Sequence, residues 1–257
     1  MSADPTPRSS TPGPFVVLTC GDVTAQGWAG DLGEALGGTT EIVAVPRRPG
    51  RADVDPVLDR PALAGTGRLV VAGGDDDLAA VLVRLLRRER LDVPVAFLPW
   101  SASEVAAVWG VPTGPRHALD VAREGAAAPA PLVRDDRGGV VVGAHRVGAF
   151  DGVVYCDERE VVRGEAAGLV VRPDPAGGPA AVGGVTVTVT RRRRLGGLLR
   201  GAELHARGRA ATIGCRPAAL HRDGVDEDRP LERRSWYRHT ADWILVRPAD
   251  AVPTANL

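Results

Sequence analysis

The stretch Leu69-Val70-Val71-Ala72-Gly73-Gly74-Asp75-Asp76-Asp77-Leu78 sets an apolar, β-branched run directly before two glycines, three consecutive acids and the start of a helical periodicity. Glycine lets backbone approach a ligand closely, and the amides of a helix N-terminus face an anion. A carboxylate in that position can hold a ribose hydroxyl or a metal ion. This chemistry suits a nucleotide. The same residues also serve a tight turn followed by an acidic helix cap, because acids are favoured at helix N-termini.

Composition narrows what such a turn could do. The 257 residues are 44% hydrophobic, enough for substantial cores, so a folded chain is expected. Lysine and arginine together number 32 and so do the acids. No global field therefore draws the chain to nucleic acid or to an anionic membrane. Every one of those cations is an arginine. Without lysine there is no Schiff-base former and no phosphate-loop lysine, which excludes PLP enzymes and ordinary P-loop NTPases and leaves phosphate clamping to arginine. The arginine, alanine, glycine, valine and proline bias points to a GC-rich, bacterial coding source. Cys20, Cys156 and Cys215 lack CxxC spacing and read as small buried hydrophobes rather than zinc ligands or a disulfide framework. His205, His221 and His239 share no metal-ligand spacing, and no metal ligand set is legible. No run has the roughly 18 apolar residues of a membrane span, and the N-terminal residues lack a signal-peptide core, so a cytoplasmic protein with a disordered tail at 1–13 is expected.

The elements that must position the turn alternate in type. Residues 15–19 read as a buried strand, 27–36 as a short helix and 41–45 as a strand, before a proline-rich break at 46–50. A strand at 68–72 precedes a helix at 77–90, where Leu78, Val81, Leu82, Leu85 and Leu86 share one face. Residues 93–98 give another strand, and 103–109 a helix capped by Ser103 with Glu104 in its first turn. This predicts a doubly wound α/β lobe over 14–125. From 126 to 257 the chain changes to short β-rich runs separated by glycine turns. Strict alternation over residues 185–190 predicts an antiparallel sheet with one buried face. The second lobe is therefore expected to be β-sandwich-like. Trp236, Tyr237 and Trp243 read as packing for the last strands. Arg191 to Arg194, with 195–200 after them, read either as a solvated loop or as a contact for anionic lipid headgroups.

The order of these motifs resembles the diacylglycerol kinase and lipid kinase family. There a strand enters Gly-Gly-Asp-Gly-Thr at the head of a helix, and a later strand ends in a Pro-x-Gly-Thr-Gly-Asn-Asp-Phe-Ala-type loop. Here Gly73-Gly74-Asp75-Asp76-Asp77 is followed by Leu98-Pro99-Trp100-Ser101-Ala102-Ser103-Glu104-Val105-Ala106. Trp109-Gly110-Val111-Pro112 and Ala118-Leu119-Asp120-Val121-Ala122-Arg123-Glu124-Gly125 are similar to the family's next turn and helix. Asp223-Gly224-Val225 looks like its Asp-Gly-Glu turn. The resemblance implies phosphoryl transfer from ATP, with Mg2+, to diacylglycerol or a similar lipid alcohol at a cytoplasmic or peripheral membrane site. It places Gly73, Gly74, Asp75, Asp76, Asp77, Ser101 and Ser103 at the nucleotide and makes Asp223 the catalytic base. Asp223-Gly224 also reads as a plain hairpin turn. NAD kinase shares the Gly-Gly-Asp signature and the two-lobed plan, whereas a dehydrogenase is disfavoured by the lack of Gly-x-Gly-x-x-Gly. The oligomeric state is open, a homodimer included.

The chain departs from that pattern where phosphate would sit. Asp76 and Asp77 replace a glycine and a threonine, adding negative charge beside a triphosphate. Trp100 and three small residues stand in the second loop, and Thr19-Cys20-Gly21-Asp22-Val23 replaces an Asn-Pro-x-Ser-Gly first loop. The expectation is weak nucleotide affinity. The alternative to a kinase is a non-catalytic, pseudokinase-like binding or regulatory module.

Overall fold

The computed structural model describes residues 13–22, 32–37, 39–176, 183–192 and 201–249. The N-terminal tail, Val23, most of the helix expected at 27–36 and residues 193–200 lie outside the described residues. The first lobe runs β1 (Phe15–Cys20), α1 (Leu32–Leu36), β2 (Thr40–Val45), α2 (Arg51–Leu58), β3 (Arg68–Gly73), α3 (Asp75–Arg87), β4 (Pro94–Pro99), α4 (Glu104–Trp109) and α5 (Pro115–Glu124). Every residue of β1 is buried, as the unbroken apolar run requires of a strand covered on both faces. Sequence periodicity gave no helix at 51–58, where Pro56 interrupts the pattern. α2 nevertheless forms, because Asp53 accepts the Gly50 amide at 2.8 Å and Val54, Val57 and Leu58 are buried. Asp55 of α2 then takes a bidentate hydrogen bond from Arg84 of α3, at 2.8 and 2.9 Å, which locks the two helices together.

Two further strands complete the first sheet: β5 (Ala126–Ala130) and, at the far end of the chain, β17 (Trp243–Arg247). The order is β2-β1-β3-β4-β17-β5, parallel except for the antiparallel β17–β5 pair. The lobe boundary thus differs from the expected division at 125/126, since 126–130 and 243–247 both join the first sheet. The alanine and proline composition of 126–130 reads as a linker. Its strand state comes from backbone pairing with β17, whose Trp243, Leu245 and Val246 are buried in the sheet.

The intervening chain forms one eleven-stranded antiparallel sheet. It comprises β6 (Val133–Asp135), β7 (Val140–Val141), β8 (His145–Val147), β9 (Phe150–Cys156), β10 (Arg159–Pro173), β11 (Val185–Arg191), β12 (Glu203–Gly208), β13 (Ala210–Ala218), β14 (Leu220–Arg222), β15 (Val225–Asp226) and β16 (Leu231–Arg238). The long β10 pairs with β9 over its first half and with β8 and β11 over its second, and pairing shifts register at 166/168. Such an irregularity bends a strand and lets the sheet curl. The curl encloses a core that includes Val154, Leu169, Val171, Val187, Ile213 and Trp236. In β11 the valines are buried and the threonines partly exposed, the alternation read from sequence.

The lobes share a seam. Val140 and Val142 belong to the same core as Trp109 and Trp243, and Trp109 Nε1 donates to the Val142 carbonyl at 2.8 Å. Gly143 passes so close to α4 that a Cβ there would lie 2.8 Å from Glu104 Cβ. Glu104 accepts hydrogen bonds from Arg146 at 2.5 Å and from Arg172 at 3.1 Å, holding α4 against the second sheet.

Candidate functional site

In the first sheet the strand order turns about β1 and β3, so the loops after those strands part and open a crevice at their C-terminal ends. The Gly73-Gly74 turn, Gly21, the start of the β2–α2 loop and Trp100 all reach this point. Arg47 reaches into the space between them with its side chain half exposed, and its guanidinium lies 4.9 Å from the centroid of the Trp100 ring. A Cβ at Gly74 would stand 3.2 Å from Arg47 Nη2 and 3.5 Å from Trp100 Nε1, and one at Gly21 would stand 2.7 Å from Arg47 Cδ. Glycine here admits close approach, but by the protein's own side chains.

Arg47 also supplies the cation that compensates Asp76 and Asp77. Its Nη2 donates to both oxygens of Asp76 at 2.6 and 2.8 Å, and its Nε donates to Asp77 at 3.0 Å. Asp77 is wholly buried and accepts further from the Arg48 amide at 2.6 Å and the Gly74 amide at 2.8 Å. The last bond caps α3 from within, with the third helical residue reaching back to the residue before the helix. Burial pushes the Asp77 carboxyl above its ordinary value, opposed by those hydrogen bonds. Behind them, burial and then the charge of Asp77 keep Cys20 a thiol. The acids are legible in the sequence and their partner is not, because Arg47 lies 29 and 30 residues away in a proline-rich break.

Asp75 turns the other way, toward α4. It accepts from Ser103 Oγ at 2.5 Å, the Glu104 amide at 2.8 Å and the Val105 amide at 3.3 Å. Ser103 Oγ in turn accepts from the Ala106 amide at 3.0 Å, as an N-cap should. The donors that α4 could offer to an anion are thus taken by a carboxylate of the protein itself. Ser101 is exposed and stands outside this network.

Asp223 sits in a two-residue hairpin between β14 and β15, with φ of 42° there and 95° at Gly224, the left-handed pair such turns require. Its side chain is 3% exposed. One oxygen accepts from the Gly143 and Ala144 amides at 2.8 and 2.9 Å, and the other from the Val142 amide at 3.2 Å. His145, buried and without a sequence motif to mark it, lies beside it. Trp236 Nε1 donates to His145 Nδ1 at 2.9 Å, which in the neutral ring leaves the proton on Nε2, 3.4 Å from Asp223 Oδ2. Asp76, Ala80 and Val83 from the first lobe and His145, Arg222 and Asp223 from the second line a cavity of about 170 Å³ between the lobes.

Comparison with known proteins rests on structure, since no family model and no curated protein matches the sequence. A diacylglycerol kinase from Bacillus anthracis str. Sterne is similar at a TM-score of 0.65 and 12% identity, over 94% of this chain and 98% of that one. The chain has the diacylglycerol kinase fold. An NAD kinase from Archaeoglobus fulgidus, solved in complex with ATP, is similar at a TM-score of 0.53 and 14% identity, over 93% and 95% of the two chains. The fold is thus mixed α/β, with a parallel-sheet lobe and a curled antiparallel lobe.

Within the diacylglycerol kinase fold, the acids nearest the glycine turn are engaged by the protein itself. The acids at the glycine turn are closed on Arg47 or on α4, and among the described residues no group of three or more His, Cys, Asp or Glu side chains is arranged to hold a metal. Nor, among the described residues, does any helix have the length and apolarity to cross a membrane.

Asp75 offers a test that separates a capping role from a catalytic one. Burial raises its carboxyl, hydrogen bonds from Ser103, Val105 and Glu104 oppose this, and the charge of Asp223 raises it further. With the folded pKa above the unfolded one, the ionised group opposes folding most at neutral pH. That cost fades as pH falls through the folded pKa. Asp75→Asn keeps an acceptor for the α4 amides and removes the charge. It is expected to shift stability at neutral pH by less than about 1 kcal/mol, toward greater stability, with the difference closing in acid. Urea midpoints of both proteins at several pH values measure this; marked destabilisation by Asn at neutral pH would contradict it.

Proposed function

We propose that this chain is a non-catalytic binding or regulatory module that keeps the two-lobed kinase fold. The observation that carries this reading is the Arg47 guanidinium, which stands between Asp76, Asp77 and Trp100 where the glycine turns would otherwise admit phosphate. Three further features support it. Asp75 is occupied in capping α4, both oxygens of Asp223 are held by backbone amides, and the cavity between the lobes, at about 170 Å³, is below the roughly 300 Å³ at which small-molecule sites begin. ATP-dependent phosphorylation of a lipid alcohol would need these contacts to open together. One feature favours that second reading: Asp76 and Asp223 line the same cavity from opposite lobes.

Calorimetric titration of the purified chain with ATP and magnesium distinguishes the two. The expected result is no saturable binding at millimolar nucleotide. Binding in the micromolar range, weakened by Asp75→Ala, would overturn the non-catalytic reading and restore phosphoryl transfer as the activity to assay.

A further inference from the structure

Away from the lobe seam, the connection from β15 to β16 and the β6–β7 turn enclose a groove of about 440 Å³. Arg137, Arg229, Arg233 and Arg234 line it, with Glu227 and Glu232. It shares no lining residue with the interlobe cavity. Its floor is fixed. Arg234, with its side chain 5% exposed, donates to Asp135 at 3.0 Å and to Glu227 at 2.7 Å. Asp135 is fully buried and also accepts the Arg137 and Gly139 amides at 2.9 and 2.7 Å, which sets the turn that carries Arg137. Arg234 Nε is buried without a hydrogen-bond partner, with Asp136 Oδ1 at 3.7 Å as its ion-pair neighbour.

Charge in the groove is unbalanced in one direction. Glu227 is consumed by Arg234 and by Arg222 Nε at 2.8 Å. Arg137, Arg229 and Arg233 are exposed, and among the described residues their guanidinium groups have no ion pair or hydrogen bond. Three free planar forks on a rigid floor, with Glu232 in the lining and Asp136 beside Arg234 as the acids left to oppose them, make a local anion site on a chain of zero formal net charge. The volume exceeds what a bare phosphate fills and falls within the range of small-molecule sites.

We propose that this groove binds a phosphate-bearing ligand, its phosphate clasped by Arg137, Arg229 and Arg233. The ligand chemistry is a phosphate attached to a polar group, which a soluble sugar phosphate and an anionic lipid headgroup both supply. The test uses the whole chain at low salt with two probes: ribose 5-phosphate by calorimetry, and sedimentation with phosphatidylcholine vesicles with or without phosphatidylglycerol. Each is repeated with the Arg229→Ser/Arg233→Ser double substitution, whose exposed, unpaired side chains leave the urea midpoint as a control on folding. Saturable ribose 5-phosphate binding that weakens about tenfold or more in the double variant assigns a soluble ligand. Sedimentation that requires phosphatidylglycerol and is lost in the variant assigns a headgroup. Binding of neither probe, or binding that the substitutions leave unchanged, overturns the proposal. Because neither arm involves Arg47, Asp75 or Asp223, failure here is independent of the nucleotide titration.

Discussion

Asp223→Ala is expected to lower stability by about 3 kcal/mol, measured from urea denaturation at neutral pH. The carboxylate is 3% exposed and accepts the amides of Val142, Gly143 and Ala144. Truncation leaves those donors buried and unsatisfied at the point where the second sheet meets α4. It also places a β-carbon residue without a local hydrogen-bonding side chain at a φ of 42°, a conformation that aspartate and asparagine tolerate better. Asp223→Asn should therefore cost less than alanine, since it keeps one acceptor oxygen. A general base exposed to a substrate hydroxyl would behave otherwise, with little loss of stability and loss of turnover. A change below about 1 kcal/mol on Asp223→Ala would remove the structural assignment and return Asp223 to the list of candidate bases.

The two adjacent acids of the glycine turn should separate widely in the same measurement. Asp77→Ala is expected to cost about 3 kcal/mol, because it removes the acceptor of the Gly74 amide, which closes the α3 cap, and of the Arg48 amide, and strips one partner from Arg47. Asp76→Ala is expected to cost under about 1 kcal/mol. Its partner Arg47 is 48% exposed, and pairs of that kind contribute little. Equal losses for the two substitutions would show that charge pairing, and not the capping and backbone bonds of Asp77, holds the turn.

Much of the architecture was legible in local pattern. The unbroken apolar runs of β1, β3 and β4, the one-face periodicity of α3 and the alternation of β11 each depend on residues two to four positions apart, and each element formed. Ser103 was readable as a cap for the same reason. α2 and β5 were not, because Pro56 and the alanine-proline run give no periodic signal and both elements are held by distant partners, Arg84 and β17.

The candidate site divides along the same line. Residue types and motif order determined that Gly73 to Asp77 form a strand-to-helix turn and that Asp223-Gly224 could make a hairpin. Whether those carboxylates face a ligand or the protein is decided by partners 28 to 81 residues away: Arg47 for Asp76 and Asp77, Ser103 for Asp75, and the Val142 to Ala144 amides for Asp223. A sequence specifies which groups carry charge and hydrogen-bonding capacity. Only the packed chain, by bringing a donor within about 3 Å of each acceptor, decides whether that capacity is spent inside the fold or left for something outside it.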